Sequence, residues 1–332
     1  MDRRVVLAPD SFKGTLAAAE VCEALAEGLE VASVAVDRCP VADGGEGTID
    51  ALRMPLALEL REFEVRDPRG LPVRAPVGFG AHGEIVIESA LAIGLALVPE
   101  AERDPLKARS TGLGELVSLA LREEPRELLV GVGGTATIDG GAGVLAAIEP
   151  DQIARTNVKI LCDVGTAWSR AAAVYGPQKG ADPDEVATLE RRLDQLAGRL
   201  KRDPRARAAT GAGGGISGAF WSLGAELVSG ADTILDLVGI DRRLVGVDLV
   251  VTGEGRLDEQ TAEGKLVARV VERAQRAGVR SVAVVGQVTA AAAPIKALGL
   301  EDIFVAGDSV ALRLTGERIA AALARSGGGL HC

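Results

Sequence analysis

Short apolar runs that stop abruptly at an acidic or glycine-bearing loop recur along this chain. Residues 5–8 read Val-Val-Leu-Ala and end at Pro9 and Asp10; residues 249–251 read Leu-Val-Val and end at Thr252, Gly253 and Glu254. A short continuous apolar run fits a strand buried on both faces, and strands that alternate with helices require a parallel sheet covered by those helices. After the first run, Ala18, Val21, Cys22, Leu25 and Leu29 share one helical face, with Glu20, Glu23 and Glu27 opposite. Thr15 reads as the cap of this helix and Gly28 as its stop signal. Residues 31–36 then supply a second strand, completing a β-α-β opening. The same rhythm returns from Asp248, with strands predicted at 249–251, 281–285 and 303–306 and helices at 266–277 and 314–324.

The middle of the chain reads differently. Between residues 56 and 87, alternating apolar positions (Leu60, Phe63, Val65, then Val73, Val77, Phe79) are broken by DPRG and GAHG, which are hairpin signals in a small antiparallel or mixed sheet. Helical spacing follows at 113–122, and strands are expected at 128–132 and 159–162. Val186, Leu189, Leu193, Leu196 and Leu200 make an amphipathic helix, expected as a solvated surface helix. The fold class predicted is α/β with two domains. Residues 1–55 plus 243–332 form a parallel-sheet domain from both chain ends, and residues 56–242 form an inserted mixed α/β domain.

Composition removes several function classes. Of the 332 residues, 47% are hydrophobic but only 2% aromatic, so the core rests on Leu, Val, Ile and Ala, and base-stacking platforms are not expected. The formal net charge of −10 and the lack of any basic run argue against nucleic acid as a partner. Cys22, Cys39, Cys162 and Cys332 have no CxxC spacing, and with only His82 and His331 beside them a zinc site is not expected. No apolar stretch approaches the ~18 residues of a membrane span. The first residues read as a strand and not as a signal peptide, so a cytoplasmic protein with reduced thiols is expected.

Four glycine-rich loops carry the chemistry: PVADGGEGT (40–48), GVGGTATIDGGAG (131–143), GAGGGISG (211–218) and VTGEGRLDEQTAEGK (251–265). Glycine lets backbone N–H groups approach a ligand, carboxylates beside it can hold Mg²⁺, and Lys or Arg can neutralise phosphate. The combination points to phosphoryl transfer. No loop reads GxxxxGK[ST], and no GxGxxG follows the first strand. Ligands of open α/β sheets bind beyond the carboxyl ends of the strands. Asp10, Ser11 and Lys13 follow the first strand, Asp43 and Glu46 follow the second, and Glu254, Arg256 and Asp258 follow the strand at 249–251. Asp139 lies downstream of the strand at 128–132, and Asp163 ends the one at 159–162. Any one of these acids also suits a helix cap or a turn; together they suit a site. Only 7 of the 37 basic residues are Lys, and Lys13, Lys179 and Lys265 all sit beside glycine-bearing loops. His82 and His331 are poorly placed for proton transfer, so an Asp is the expected base.

APDSFKGT (8–15), PVADGGEGT (40–48), STGLGEL (110–116), GGTATIDGGAG (133–143), VYGPQKGA (174–181) and TGEGRLDEQTAEGK (252–265) together resemble the bacterial glycerate kinase family, class I type. The resemblance implies a Rossmann- or flavodoxin-like domain from both chain ends, an inserted second domain, and an active site in the cleft between them. It implies transfer of the γ-phosphoryl group of ATP to D-glycerate, usually at the 2-hydroxyl, with Mg²⁺ expected. Carried over, it makes Asp10, Lys13, Asp43, Arg256 and Asp258 part of the site, and their charges lead us to expect that these five are catalytic. Ser11, Gly44, Gly45, Thr111, Gly133, Gly134, Thr135, Asp139, Gly140, Lys179, Gly253, Glu254, Gln260, Thr261 and Lys265 are expected to bind substrate or nucleotide. Glu46 and Asp163 are expected to bind Mg²⁺, with Asp43 a further candidate. A homodimer is left open.

The chain departs from the family pattern at Ile138, where Asn is usual, and at 165–168, where an Asn-Pro-Leu run is usual. The stretch 143–159 also looks short, and the loop at 211–218 is a looser version. Ile138 and the shortened stretch leave open a 3-phosphoglycerate-forming enzyme or a kinase of a related small hydroxy acid, and a non-catalytic, ligand-sensing family member is a separate alternative.

Overall fold

The computed structural model describes residues 3–12, 14–257, 266–288 and 299–325. Its strands are β1 (Arg4–Pro9), β2 (Ala35–Arg38), β3 (Glu59–Arg66), β4 (Pro72–Phe79), β5 (Glu84–Glu88), β6 (Glu127–Gly131), β7 (Val158–Leu161), β8 (Glu226–Val228), β9 (Leu249–Leu257), β10 (Arg280–Val288) and β11 (Asp302–Val305). The chain divides into two compact units. One comprises Met1–Asp43, Asp50–Leu52 and Ala231–Cys332; the other comprises Gly44–Ile49 and Arg53–Gly230.

In the first unit, five strands pair in the order β11-β10-β9-β1-β2, all in parallel. Counted within the unit, that is the flavodoxin-like order 2-1-3-4-5, whose strand order reverses between β1 and β9. Val5, Leu7, Val251 and Val284 join Leu25, Leu29, Leu312 and Ile319 in one buried cluster, so helices Ala18–Glu30 and Ser309–Arg325 cover the sheet. Glu20 accepts a hydrogen bond from Ala17 N–H at 2.8 Å and starts the first helix, whereas Thr15 bonds the Phe12 carbonyl and caps nothing. Gly28 lies inside this helix and does not end it. A Cβ there would stand 2.0 Å from the Arg313 carbonyl oxygen, so the glycine serves the close approach of the first and last helices. The second strand begins at Ala35, not Val31, because Ala32 and Ser33 N–H groups bond back to Leu29 and Glu30 and finish the helix. β9 continues through the glycines to Leu257, held by pairing of Arg256 with Gln287 and of Leu257 with Val288.

The second unit carries a six-stranded sheet in the order β3-β4-β5-β6-β7-β8. The pairs β3–β4 and β4–β5 are antiparallel and the others parallel. The hairpin expected at DPRG is there: Asp67 accepts from the N–H groups of Arg69 and Leu71, and Gly70 has a positive φ of 87°. Helix Pro183–Ala197 opens with a reciprocal cap between Asp182 and Glu185. Its apolar face is not solvated. Leu189, Leu193 and Ala197 pack with Trp168 and Ile138 in a separate buried cluster. Cys22, Cys39 and Cys162 are free thiols, and burial pushes all three well above the ordinary range, Cys39 and Cys162 to about 12. They are held as neutral, inert packing groups.

Candidate functional site

The reversal of strand order in the first unit leaves a cavity at the carboxyl ends of its strands. It measures about 440 Å³ and is lined by Asp10, Ser11 and Asp43 together with Glu254, Gly255 and Arg256 of β9 and Gly286 and Gln287 of β10. β1 delivers Asp10 because its last pairings, Ala8 with Thr252 and Pro9 with Gly253, carry the chain to the sheet edge. Asp10 N–H then donates to the Gly253 carbonyl at 2.8 Å, while one Asp10 carboxylate oxygen accepts from Ser11 N–H at 2.7 Å. Asp10 is 6% exposed and Ser11 5%. Ser11 Oγ is buried without a hydrogen-bond partner among the described residues. A buried hydroxyl left without a partner at a cavity wall is a vacant hydrogen-bonding position for a ligand. Asp43 and Glu254 are half-buried and Arg256 is exposed. Among the described residues the lining sets three carboxylates against one guanidinium, and a bare anion gains little from these without a cation. Lys13, Asp258, Gln260, Thr261 and Lys265 lie outside the described residues.

In the second unit the glycine loops prove to be built for each other. A Cβ on Gly131 would lie 2.3 Å from the Gly44 carbonyl oxygen, and one on Gly133 would lie 2.8 Å from Gly45 Cα. These glycines allow backbone to touch backbone. The N–H groups of Gly47 and Ile49 donate to the buried carboxylate of Glu88, and Thr48 Oγ1 donates to the Gly45 carbonyl at 2.8 Å. Asp139 is engaged in the same manner. Its carboxylate accepts from Ser110 N–H, Ser110 Oγ and the N–H groups of Gly141 and Gly143, at 2.8–3.1 Å. The Ala136 and Gly140 N–H groups of this loop bond the carbonyls of Ile93 and Gly214. Thr111 opens helix Thr111–Arg122 beside Ser110. Glu46 is exposed, and Asp163 is half-buried and accepts from Ser229 Oγ at 2.9 Å.

Lys179 is buried. Its Nζ donates to Thr135 Oγ1 at 3.1 Å and to the Thr137 carbonyl at 2.8 Å, over the Tyr175 ring. Burial pulls its ammonium down to about 7, with Asp139 opposing the shift. Glu88 carries no glycine motif of its own and escapes the sequence reading, although it ends a strand as Asp10 nearly does; Ser110 opens the STGLGEL run, but its tie to Asp139 is not legible there. Ile138 is 1% exposed among apolar neighbours, so its departure from the family's Asn suits the place it occupies. His82 is exposed in the turn before β5. Among the described residues, no helix is long and apolar enough to cross a membrane.

Known proteins are similar to this chain in sequence and in fold. The chain is 33% identical over 344 residues to glycerate kinase of Bacillus subtilis, covering 91% of this chain and 89% of that protein. It is 31% identical over 345 residues to glycerate 2-kinase of Escherichia coli K12, covering 91% and 90%. A crystal structure of a candidate glycerate kinase 2 from Salmonella typhimurium LT2 superposes with a TM-score of 0.83 at 32% identity, over 98% of this chain and 100% of that one. The model of the glycerate kinase family matches residues 5–151 and 149–325, and with relatives alike over nine-tenths of its length this chain belongs to that family.

Proposed function

We propose that this chain transfers the γ-phosphoryl group of ATP to the 2-hydroxyl of D-glycerate, giving 2-phosphoglycerate and ADP. The observation that supports this reading is the cavity at the strand-order reversal of the parallel sheet, whose lining includes Asp10, Asp43, Glu254 and Arg256 from motifs that resemble the family's. In the reaction a bond forms between the glycerate O2 and the γ-phosphorus. The bond from phosphorus to the bridging oxygen breaks, and its electron pair leaves with ADP. The hydroxyl proton passes to a carboxylate, and Asp10 is assigned that part because it is buried and its orientation is fixed by Ser11 N–H. Arg256 is assigned to the oxygens of the transferring group, where a planar guanidinium makes two parallel hydrogen bonds. Lys13, Asp258 and Lys265 are assigned to the same reaction on their motifs alone. Catalysis of this kind is mostly positioning and charge neutralisation.

Mg²⁺ fits the cavity. It is a hard cation that keeps several waters and takes one or two carboxylates beside nucleotide phosphate. Asp43 and Glu254 offer such oxygens, and among the described residues no group of three His, Cys, Asp or Glu side chains forms a full protein cage. Bound there, Mg²⁺ would neutralise charge on the β- and γ-phosphates. Glu46 and Asp163 belong to the second unit, and their expected part in Mg²⁺ binding is tested by the Mg²⁺ dependence of Glu46→Gln and Asp163→Asn. The test of the reaction is ADP release from Mg-ATP with D-glycerate, the product passed directly to enolase. An immediate enolase signal is expected. Signal only after phosphoglycerate mutase is added would move phosphorylation to the 3-hydroxyl, and no ADP release would remove glycerate as acceptor.

A further inference from the structure

Lys179 is 5% exposed in the wall of a cavity of about 260 Å³ in the second unit. Its Nζ meets two oxygens, Thr135 Oγ1 at 3.1 Å and the Thr137 carbonyl at 2.8 Å, and among the described residues no carboxylate pairs with it. An ammonium has three N–H donors, so two acceptors leave one of them bare in a buried place. A neutral amine has two donors, which these oxygens satisfy, and its lone pair stays free. The rest of the lining favours the neutral form further: Arg69, Arg103 and Lys107 stand there against Glu102 and Asp104, three cations against two carboxylates before Lys179 is counted. Burial accordingly pulls the ammonium down to about 7. The Asp139 carboxylate, which opposes that shift, is already engaged by Ser110, Gly141 and Gly143. A desolvated lysine beside other cations is an activated nucleophile.

We propose that Lys179 takes up carbon dioxide as a carbamate whose carboxylate is held by Arg103. In this step the Nζ lone pair forms a bond to the carbon. One carbon–oxygen π pair moves onto oxygen, and one N–H proton leaves to solvent. The product is an N-carboxylate, and nothing is oxidised or reduced. Arg103 lines the same cavity, and its Nε is buried without a hydrogen-bond partner among the described residues. A guanidinium is shaped to take the two oxygens of a carboxylate. The charge of the product selects this electrophile. An aldehyde would leave a neutral or cationic imine, whereas a carbamate brings the lining to equal numbers of positive and negative groups. The cavity is ample for a triatomic molecule, since a water occupies about 30 Å³ in the liquid. Uptake needs neither nucleotide nor glycerate, so it stands or falls apart from the kinase reading.

The whole chain is equilibrated with carbon-13 dioxide at one fixed dissolved concentration from about pH 6 to about pH 8, either side of the lysine's folded value. Triethyloxonium ion then traps carbamates as ethyl esters, and mass spectrometry of the digest locates them. Wild type should carry the group on Lys179, in an amount that rises with pH as the amine loses its proton. Lys107 lines the same cavity, but its hydrogen bond to Asp104 holds its ammonium above the ordinary value, so it should stay unlabelled and serves as the internal control. Tyr175, beneath the amine, is raised by burial and stays neutral throughout. Arg103→Gln should lower the occupancy of Lys179 about 10- to 100-fold, the loss typical of one charge-assisted hydrogen bond, and Arg103→Lys should restore part of it. Lys179→Met should remove the carbamate resonance from the carbon-13 spectrum of the intact chain. Arg103 is half-buried, so Arg103→Gln keeps the test open should Lys179→Met unfold. An unlabelled Lys179 at the upper end of the pH range, or label spread equally over Lys107 and the other lysines, would overturn the proposal. So would wild-type labelling in Arg103→Gln.

Discussion

The two units carry cavities of opposite character. The first sets Asp10, Asp43 and Glu254 against Arg256 at the open ends of a parallel sheet. The second surrounds a smaller space with Arg69, Arg103, Lys107 and Lys179. An acid-lined cavity holds an anion only together with a metal, whereas a cation-lined one holds a bare anion directly. The difference also lies in how the charges are held: Asp10 is fixed by backbone at the end of a strand, while Lys179 hangs from a short turn onto two threonines.

The strongest way to break the comparison is to neutralise the acidic side. Asp10→Asn keeps size and removes the charge, and kcat should fall about 10²–10³-fold, the usual loss for one preorganised electrostatic group. Arg256→Gln should cost at least ~10²-fold on the same grounds. Steady-state rates with Mg-ATP and D-glycerate check both, and a loss below tenfold in either would detach that residue from the reaction. Next comes the frame that aims these groups. A Cβ on Gly253 would lie 1.9 Å from the Val284 carbonyl oxygen across the β9–β10 pair. Gly253→Ala should therefore destabilise the chain by about 1–3 kcal/mol, as overpacking does, with urea unfolding as the readout. A glycine needed only for a ligand would instead change KM at constant stability.

Part of this was legible in the sequence. The runs at 5–8 and 249–251 declared buried parallel strands, and acids after them declared the cavity, because strand-end chemistry is local in sequence. Other features depend on partners far along the chain. Gly28 reads as a helix stop until Gly316 and Arg313 are brought against it. The run Gly253-Glu254-Gly255-Arg256 reads as a loop, yet pairing with β10 keeps it a strand, since sheet membership is decided by neighbours more than by propensity. Asp139 announced itself as an acid in a glycine loop and as a cap or turn former, which its bonds from Gly141 and Gly143 N–H show it to be, but nothing local reveals that Ser110 also takes one of its oxygens. Arg103 carried no signal at all.

The cationic side is sharpened by pH. With burial holding Lys179 to about 7, the cavity loses its ammonium as pH rises past that value. The unfolded lysine, at its ordinary value of 10.5, binds more protons than the folded one above about 7, so Lys179 costs most stability below 7 and the cost shrinks as pH rises towards 10.5. Arg69, Arg103, Lys107, Glu102 and Asp104 share the cavity, and Tyr175 lies beneath the ammonium. The hydrogen bond between Asp104 and Lys107 holds Asp104 below and Lys107 above their ordinary values, and burial raises Tyr175, so none of these three mimics the effect. Urea unfolding across this range in wild type and Lys179→Met decides it, and a stability difference that does not change with pH would return Lys179 to its ordinary value.

The smallest effect separates the glycine loop at 44–47 from the phosphate-binding role its composition implies. Glu88 already accepts from Gly47 and Ile49 N–H groups, and a carboxylate at a helix start satisfies the same donors that a phosphate would take. Glu88→Gln keeps the shape but sets an amide against those donors. It should lower stability by about 1 kcal/mol, in the range of a lost helix cap, and leave the KM for ATP within about twofold. Denaturant midpoints and nucleotide saturation curves, taken on one preparation, give both numbers. A KM for ATP that rises tenfold with no loss of stability would return the loop to the nucleotide, and would mean that Glu88 holds its N–H groups ready for phosphate, contrary to the structural part given to it here.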